Sequence, residues 1–169
     1  MDFDKYAACK GESRMHTRAL HPPVHRRHVR IMLVVLALGT LMLITPIGSL
    51  DALAFWNSIE PAAVGTLVAA TFFLPAARLQ CTRRGSWSAL RRAQRGLRNF
   101  GLNGVLLCVV AMVSMVATSR SVTIANTVFD VCFDGMIDGA TLYLWSLAAL
   151  PVLRGLVWAE SARKQRGAR

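Results

Sequence analysis

The stretch IMLVVLALGTLMLITPIGSL, residues 31–50, contains no ionisable side chain and decides the fold class. A helix of about 20 residues rises about 30 Å, which is the thickness of the hydrocarbon core of a bilayer. Residues 31–50 are therefore predicted to form a transmembrane helix. The alternative is a signal peptide cleaved after Ala52-Leu53-Ala54, but the uncharged stretch exceeds the ~7–15 apolar residues of a signal peptide, which favours a retained helix.

Three further apolar stretches follow, at residues 61–77, 101–118 and 136–158. The whole chain has 169 residues, of which 54% are hydrophobic and 17% charged, and the two kinds are segregated along it. This segregation excludes an ordinary soluble enzyme and a disordered nucleic-acid-binding chain. The prediction is an all-α membrane protein with a transmembrane domain at 31–158, made of four transmembrane helices.

Lysine and arginine are concentrated in alternate segments between these helices, and those segments lie on one side of the membrane. Seven precede residue 31, none lies in 51–60, seven lie in 78–100, and five lie from residue 154 onward. The other side carries the acidic residues Asp51, Glu60, Asp130, Asp134 and Asp138. Because short cytoplasmic loops hold an excess of Lys and Arg, both termini are predicted to be cytoplasmic. Residues 1–30 are expected to be a mobile basic tail and residues 159–169 a second basic tail.

The segment SWSALRRAQRGLRNF, residues 86–100, has the pattern of an amphipathic helix. Its apolar positions, three or four residues apart, are Trp87, Leu90, Ala93, Leu97 and Phe100. Between them lie Arg91, Arg92, Arg95 and Arg98. We expect a short interfacial helix in which Trp87 and the arginines contact either anionic headgroups of the lipid bilayer or an acidic cytoplasmic protein partner. No nucleic-acid-binding motif accompanies the arginines.

Four polar residues, Asn126, Asp130, Asp134 and Asp138, recur four residues apart. On a helix they would form one stripe, with Asp134 and Asp138 as a candidate ion path at the membrane mouth. The alternation through Val128–Phe133 also fits a small extracytoplasmic hairpin with Asp130 and Asp134 on its solvated face. The sequence leaves both interpretations open.

Cysteines and histidines do not form a recognisable site in the sequence. Cys9 and Cys81 are expected in the cytoplasm, Cys108 inside the third helix and Cys132 in an outer loop, so no intramolecular disulfide is expected. His16, His21, His25 and His28 indicate a basic collar that gains charge as the pH falls, rather than a metal site, because neighbouring arginines repel a dication. We expect no metal, no cofactor, no catalytic residue and hence no enzyme.

Small residues at helical spacing indicate close helix packing instead. They are Gly65 with Ala69, Gly101 and Gly104 with Cys108, and Gly135 with Gly139.

Two groups of residues carry a recognisable pattern. The first lies between the second and third helices and comprises Gly85, Trp87-Ser88 and Leu97-Arg98-Asn99-Phe100-Gly101, and the second lies near the end and comprises Leu153-Arg154, Val157 and Glu160-Ser161-Ala162-Arg163. This pattern resembles that of a bacterial family of small four-span inner-membrane proteins of unknown function. The resemblance covers about residues 61–165. It implies the bacterial inner membrane, an extended stretch at Val128–Phe133 and no catalytic residue.

Together these patterns favour a non-enzymatic membrane scaffold, sensor or regulatory partner, either bound to another protein or forming a homo-oligomer. The alternative is a small transport or pore-forming subunit that uses Asp134 and Asp138.

Overall fold

The computed structural model describes residues 24–45, 52–78, 86–118 and 122–167, which form four helices and no strand. These helices are α1 (Arg26–Ile44), α2 (Ala52–Arg78), α3 (Ser86–Thr118) and α4 (Val122–Gly167). All four are long and apolar enough to cross a membrane, which confirms the predicted fold class. Predictions for residues 1–23, for Asp51, Cys81 and Gly85, and for the end of the first apolar stretch lie outside the described residues.

The structure excludes the outer hairpin. Residues 122–133 belong to α4, which continues without interruption to Gly167. The regular spacing of Asn126, Asp130, Asp134 and Asp138 is therefore a helical stripe, and the alternation through Val128–Phe133 was misleading. The extended stretch that the family resemblance implies there is also wrong. Alternation over six residues occurs in helices too, so it was a weak signal of a strand.

The predicted interfacial helix is likewise not a separate element. Residues 86–100 are the first half of α3, and the helix continues directly into the third apolar stretch. Since no Gly-Pro or similar break separates the two halves, continuing one helix satisfies the backbone groups that a loop would leave unpaired.

The helices run alternately up and down. Trp145 Nε1 donates a hydrogen bond to Thr40 Oγ1 at 2.5 Å, which joins α4 to α1. Gln94 Nε2 donates to the Ser146 carbonyl oxygen at 2.8 Å, which joins α3 to α4. Helix α4 contacts the other three helices, whereas α1 and α3 lie diagonally opposite and share no contact within the described ranges.

Glycine determines how closely α3 and α4 approach. A Cβ atom on Gly101 would lie 2.7 Å from the Gly139 carbonyl oxygen, and one on Gly139 would lie 2.9 Å from that of Gly101. A Cβ atom on Gly135 would lie 2.8 Å from Cys108 Sγ. The predicted packing role is confirmed for these three glycines. It is wrong for Gly104, where a Cβ atom would meet nothing within 4 Å.

The apolar segments of α1 and α3 lie at successive levels along α4. Thr40 of α1 and Gln94 of α3 bond to neighbouring residues of α4, so the C-terminal part of α1 is level with the arginine segment of α3. Ile44, where α1 ends, lines the same cleft as Thr141 of α4. Gly101 of α3 packs against Gly139 and Tyr143, which lie on either side of Thr141 in the sequence. The apolar half of α3 therefore begins where α1 ends. Only a helix as long as α4, 46 residues or about 69 Å, can accommodate both segments at successive levels.

Candidate functional site

The arginine surface of α3 consists of Arg91, Arg92, Arg95 and Arg98, all of them exposed. The opposite face of the same segment is buried in the bundle, with Leu90 and Leu97 both at 0% exposure. Trp87 is half-buried, and the guanidinium carbon of Arg154 on α4 lies 5.9 Å from its ring centroid. Apart from the exposed Phe100, the apolar face of this segment therefore belongs to the hydrophobic core of the bundle. Contact of Trp87 and the arginines with headgroups or a partner stays a prediction.

The position of these arginines along the bundle is unusual. Arg30 is the last charged residue of α1, and Thr40 follows ten residues later, about 15 Å further along the helix. That distance is half the hydrocarbon thickness. Because Gln94 is level with Thr40, the arginine surface lies within about 6 Å of the same level. The arginine surface of α3 therefore lies about 15 Å from Arg30 along the bundle.

The remainder of α3 is also largely uncovered. Only 6% of the residues in its most apolar stretch are buried, against 33–44% in the corresponding stretches of the other three helices. Leu107 is 71% exposed and Val116 is 84% exposed. Helix α3 therefore exposes an arginine surface in its first half and an apolar surface in its second half.

Charge is segregated along the bundle. We call the part level with residues 142–167 of α4 the basic half, and the part level with residues 122–138 the acidic half. All twelve Lys and Arg residues of the described ranges lie in the basic half, and four of the five acidic residues, Glu60, Asp130, Asp134 and Asp138, lie in the acidic half. This segregation is the three-dimensional form of the loop-charge pattern.

The candidate ion-path residues are placed differently from each other. Asp134 is exposed, whereas Asp138 is half-buried, with Glu60 of α2 and Asp134 within electrostatic range. No group of three or more metal-binding side chains occurs among the described residues. The ion path remains a prediction.

The structure brings together a cluster that the sequence did not indicate. His28, 5% exposed, contacts the Glu160 carboxylate through Nε2, and Lys164 Nζ lies 2.9 Å from the other carboxylate oxygen. His28 Nδ1 accepts a hydrogen bond from the backbone N–H of His25 at 3.1 Å. Nε2 therefore carries the hydrogen and donates it to Glu160. His28 is thus not part of an exposed collar, and His16 and His21 lie outside the described residues.

The one available signal for this cluster was Glu160 itself. It is the only acidic residue in the basic half among the described residues. An isolated carboxylate among cations indicates a specific pair, but its partner, 132 positions away, is visible only in the fold.

Two cysteines expected to lie apart are in contact. Cys108 of α3 lies beside Cys132 of α4, and both are free thiols. The expectation of separate compartments was wrong because α4 begins at Val122, so that Cys132 lies beside α3 rather than in a loop.

Comparison with known proteins adds no functional information. No protein-family model, no curated protein and no solved structure matches the chain. The family resemblance over about residues 61–165 remains a prediction, and a functional proposal has to be argued from the geometry.

Proposed function

We propose that this chain is a non-enzymatic multi-pass protein of the bacterial inner membrane, with both termini in the cytoplasm. In this proposal it acts as a scaffold or regulatory partner that binds a different membrane protein along α3. The observation that carries the proposal is the arginine surface at the level of Thr40, ten residues past the last charged residue of α1. The charge segregation between the two halves of the bundle supports the orientation.

In this proposal the arginine surface lies within the hydrocarbon, where uncovered arginines are costly. Insertion measurements give about 2.5–3.5 kcal/mol for an arginine at the centre of a membrane helix. Four such residues cost on the order of 10 kcal/mol, which is comparable with the whole folding free energy of a domain. Acyl chains cannot offset this cost, whereas carboxylates of a bound protein form charge-assisted hydrogen bonds with guanidinium groups. We infer that the partner is acidic opposite Arg91, Arg92, Arg95 and Arg98 and apolar opposite Leu107 and Val116.

A second copy of this chain fits the arginine surface poorly. Copies in one membrane share an orientation, so the described acidic residues other than Glu160 stay in the acidic half. Ser146 of α4 is level with Gln94. Asp138 lies eight residues before Ser146, about 12 Å away along the helix, and Asp130 lies sixteen residues before it, about 24 Å away. The anionic headgroups of the bilayer are available to Arg26 and Arg30 at the end of the bundle instead.

Photocrosslinking in intact membranes tests the proposal. A photoreactive amino acid replaces the exposed Leu107, and its protein adducts are identified with the arginines intact, with Arg95→Gln and Arg98→Gln, or with the control pair Arg26→Gln and Arg30→Gln. We expect one discrete adduct to a different protein, lost in the first pair and retained in the control pair. An adduct to a second copy of the chain, or one insensitive to the α3 arginines, would contradict the proposal.

A transport or pore-forming subunit is the second candidate function. It is favoured by Asp138, which is half-buried and has acidic residues of α2 and α4 in electrostatic range. An intramembrane carboxylate is expensive unless it serves an ion or proton pathway. The two functions differ in whether Asp138 is needed for ion flux.

A further inference from the structure

The seam between α1 and α4 contains a basic cleft at the end of the bundle. Its volume is about 560 Å³, and it lies between the first turn of α1 and the last turns of α4. The polar part is formed by Arg27, Arg163 and Lys164, and the apolar part by Ile31, Leu156 and Ala159. The cleft therefore changes from cationic to apolar along the seam.

The acidic residue in the cleft is already occupied. One Glu160 oxygen accepts a hydrogen bond from His28, and the other lies 2.9 Å from Lys164 Nζ. Neither Arg27 nor Arg163 forms a salt bridge with an acidic residue of the described ranges. Both guanidinium groups are exposed, so the cleft retains positive charge for an external anion.

A second, apolar cleft of about 330 Å³ follows along the same seam. On α1 it is lined by Val35, Gly39 and Leu43, which continue the four-residue steps of Arg27 and Ile31. A Cβ atom on Gly39 would meet nothing within 4 Å, so the seam is open there. From Ile31 to Gly39 the helix rises about 12 Å, close to the ~15 Å thickness of one leaflet.

We propose that this seam binds one anionic phospholipid, with its phosphate between Arg27 and Arg163 and one acyl chain passing Ile31 into the apolar cleft. The positive charge of Arg27 and Arg163 favours an anionic ligand, and the apolar cleft that follows favours an anion that carries an acyl chain. The inference goes beyond the proposed function, since α1 and α4 form this seam on the side of the bundle away from the exposed face of α3.

The test is native mass spectrometry of the full-length protein in detergent, titrated with phosphatidylglycerol or phosphatidylcholine of identical acyl chains. We expect one tightly bound phosphatidylglycerol and markedly weaker phosphatidylcholine binding. Arg27→Gln with Arg163→Gln is expected to weaken phosphatidylglycerol binding about 30-fold. The control pair Arg78→Gln and Arg154→Gln removes the same charge from exposed positions outside both clefts and leaves the affinity within about twofold.

A second pair of variants tests the acyl chain. Gly39→Leu fills the apolar cleft and is expected to weaken binding about tenfold, the equivalent of two lost methylene contacts. Gly104→Leu is the matched control, because a Cβ atom there also meets nothing within 4 Å. Each variant is first checked for unchanged elution and melting temperature, and one that fails is replaced by Arg→Lys or Gly→Val at the same position.

Several results would overturn the proposal. Equal affinity for the two lipids would mean that the cleft does not recognise the charge. Equal weakening by both arginine pairs would mean that the attraction is nonspecific. Displacement of phosphatidylglycerol by inorganic phosphate or a hexaglutamate peptide at equal concentration would identify a soluble anion or a peptide as the occupant.

Discussion

Replacing Gly101 by alanine tests the central packing feature of the bundle. The new Cβ atom would lie 2.7 Å from the Gly139 carbonyl oxygen and 2.9 Å from the Tyr143 backbone nitrogen. Both are backbone atoms of α4, so no side chain can rotate to make room. To restore an ordinary contact of 3.4 Å, α3 and α4 have to separate by about 0.7 Å at their closest point.

The expected magnitude follows from a matched pair of variants. Alanine has a higher helix propensity than glycine by about 1 kcal/mol, and this gain applies equally to Gly101→Ala and Gly104→Ala. At Gly104 the added methyl meets nothing within 4 Å. The difference between the two variants therefore isolates the steric term, which for overpacking is typically about 1–3 kcal/mol. We expect Gly101→Ala to be less stable than Gly104→Ala by that amount.

The assay is unfolding of the purified protein in mixed micelles of increasing denaturing detergent, followed by tryptophan fluorescence and circular dichroism. The two variants are compared at equal protein concentration. Equal unfolding midpoints for Gly101→Ala and Gly104→Ala would refute the close approach of α3 and α4 at this point. A lower midpoint for Gly104→Ala would show that the helix presents a different face to α4.

Three further predictions address the other features. His28→Ala should lower the free energy of unfolding more than Lys164→Ala does, because the buried imidazole loses its hydrogen bond to the Glu160 carboxylate. Lys164→Ala should stay close to wild type because its pair with Glu160 is exposed. Equal effects in the same micelle assay would show that His28 contributes no more than a surface charge. Asp138→Asn should leave cation and proton flux into proteoliposomes unchanged, and a loss of flux would favour the pore-forming alternative. Green fluorescent protein should fluoresce, and alkaline phosphatase should be inactive, when fused to either terminus; the opposite result would reverse the proposed orientation.

The fold class was largely predictable from the sequence because it depends on local composition. A stretch such as residues 31–50 has few ways to satisfy its backbone in lipid, whatever surrounds it. The packing glycines were also predictable in part, since Gly135 and Gly139 lie one helical turn apart on one face. Gly104 shows the limit, because spacing identifies a face of a helix but not the helix that covers it.

The candidate sites were less predictable. The arginine surface was identified by residue, and the exposure of its four arginines is as expected. Its surroundings were not, since burial of Leu90 and Leu97 depends on where α2 and α4 lie. The pair of His28 and Glu160 was missed because it joins positions 132 residues apart, and no local pattern encodes such a contact.

The sequence by itself determined that the protein consists of apolar helices with its cations and anions kept apart, because helix formation and charge distribution are properties of short segments. Only the tertiary structure decided the relative levels of those helices. It placed the arginines of α3 level with Thr40 of α1 and opened the seam between α1 and α4. Sliding one helix along another leaves every local pattern unchanged, so only the steric fit of particular residues, such as Gly101 against Gly139, selects the register.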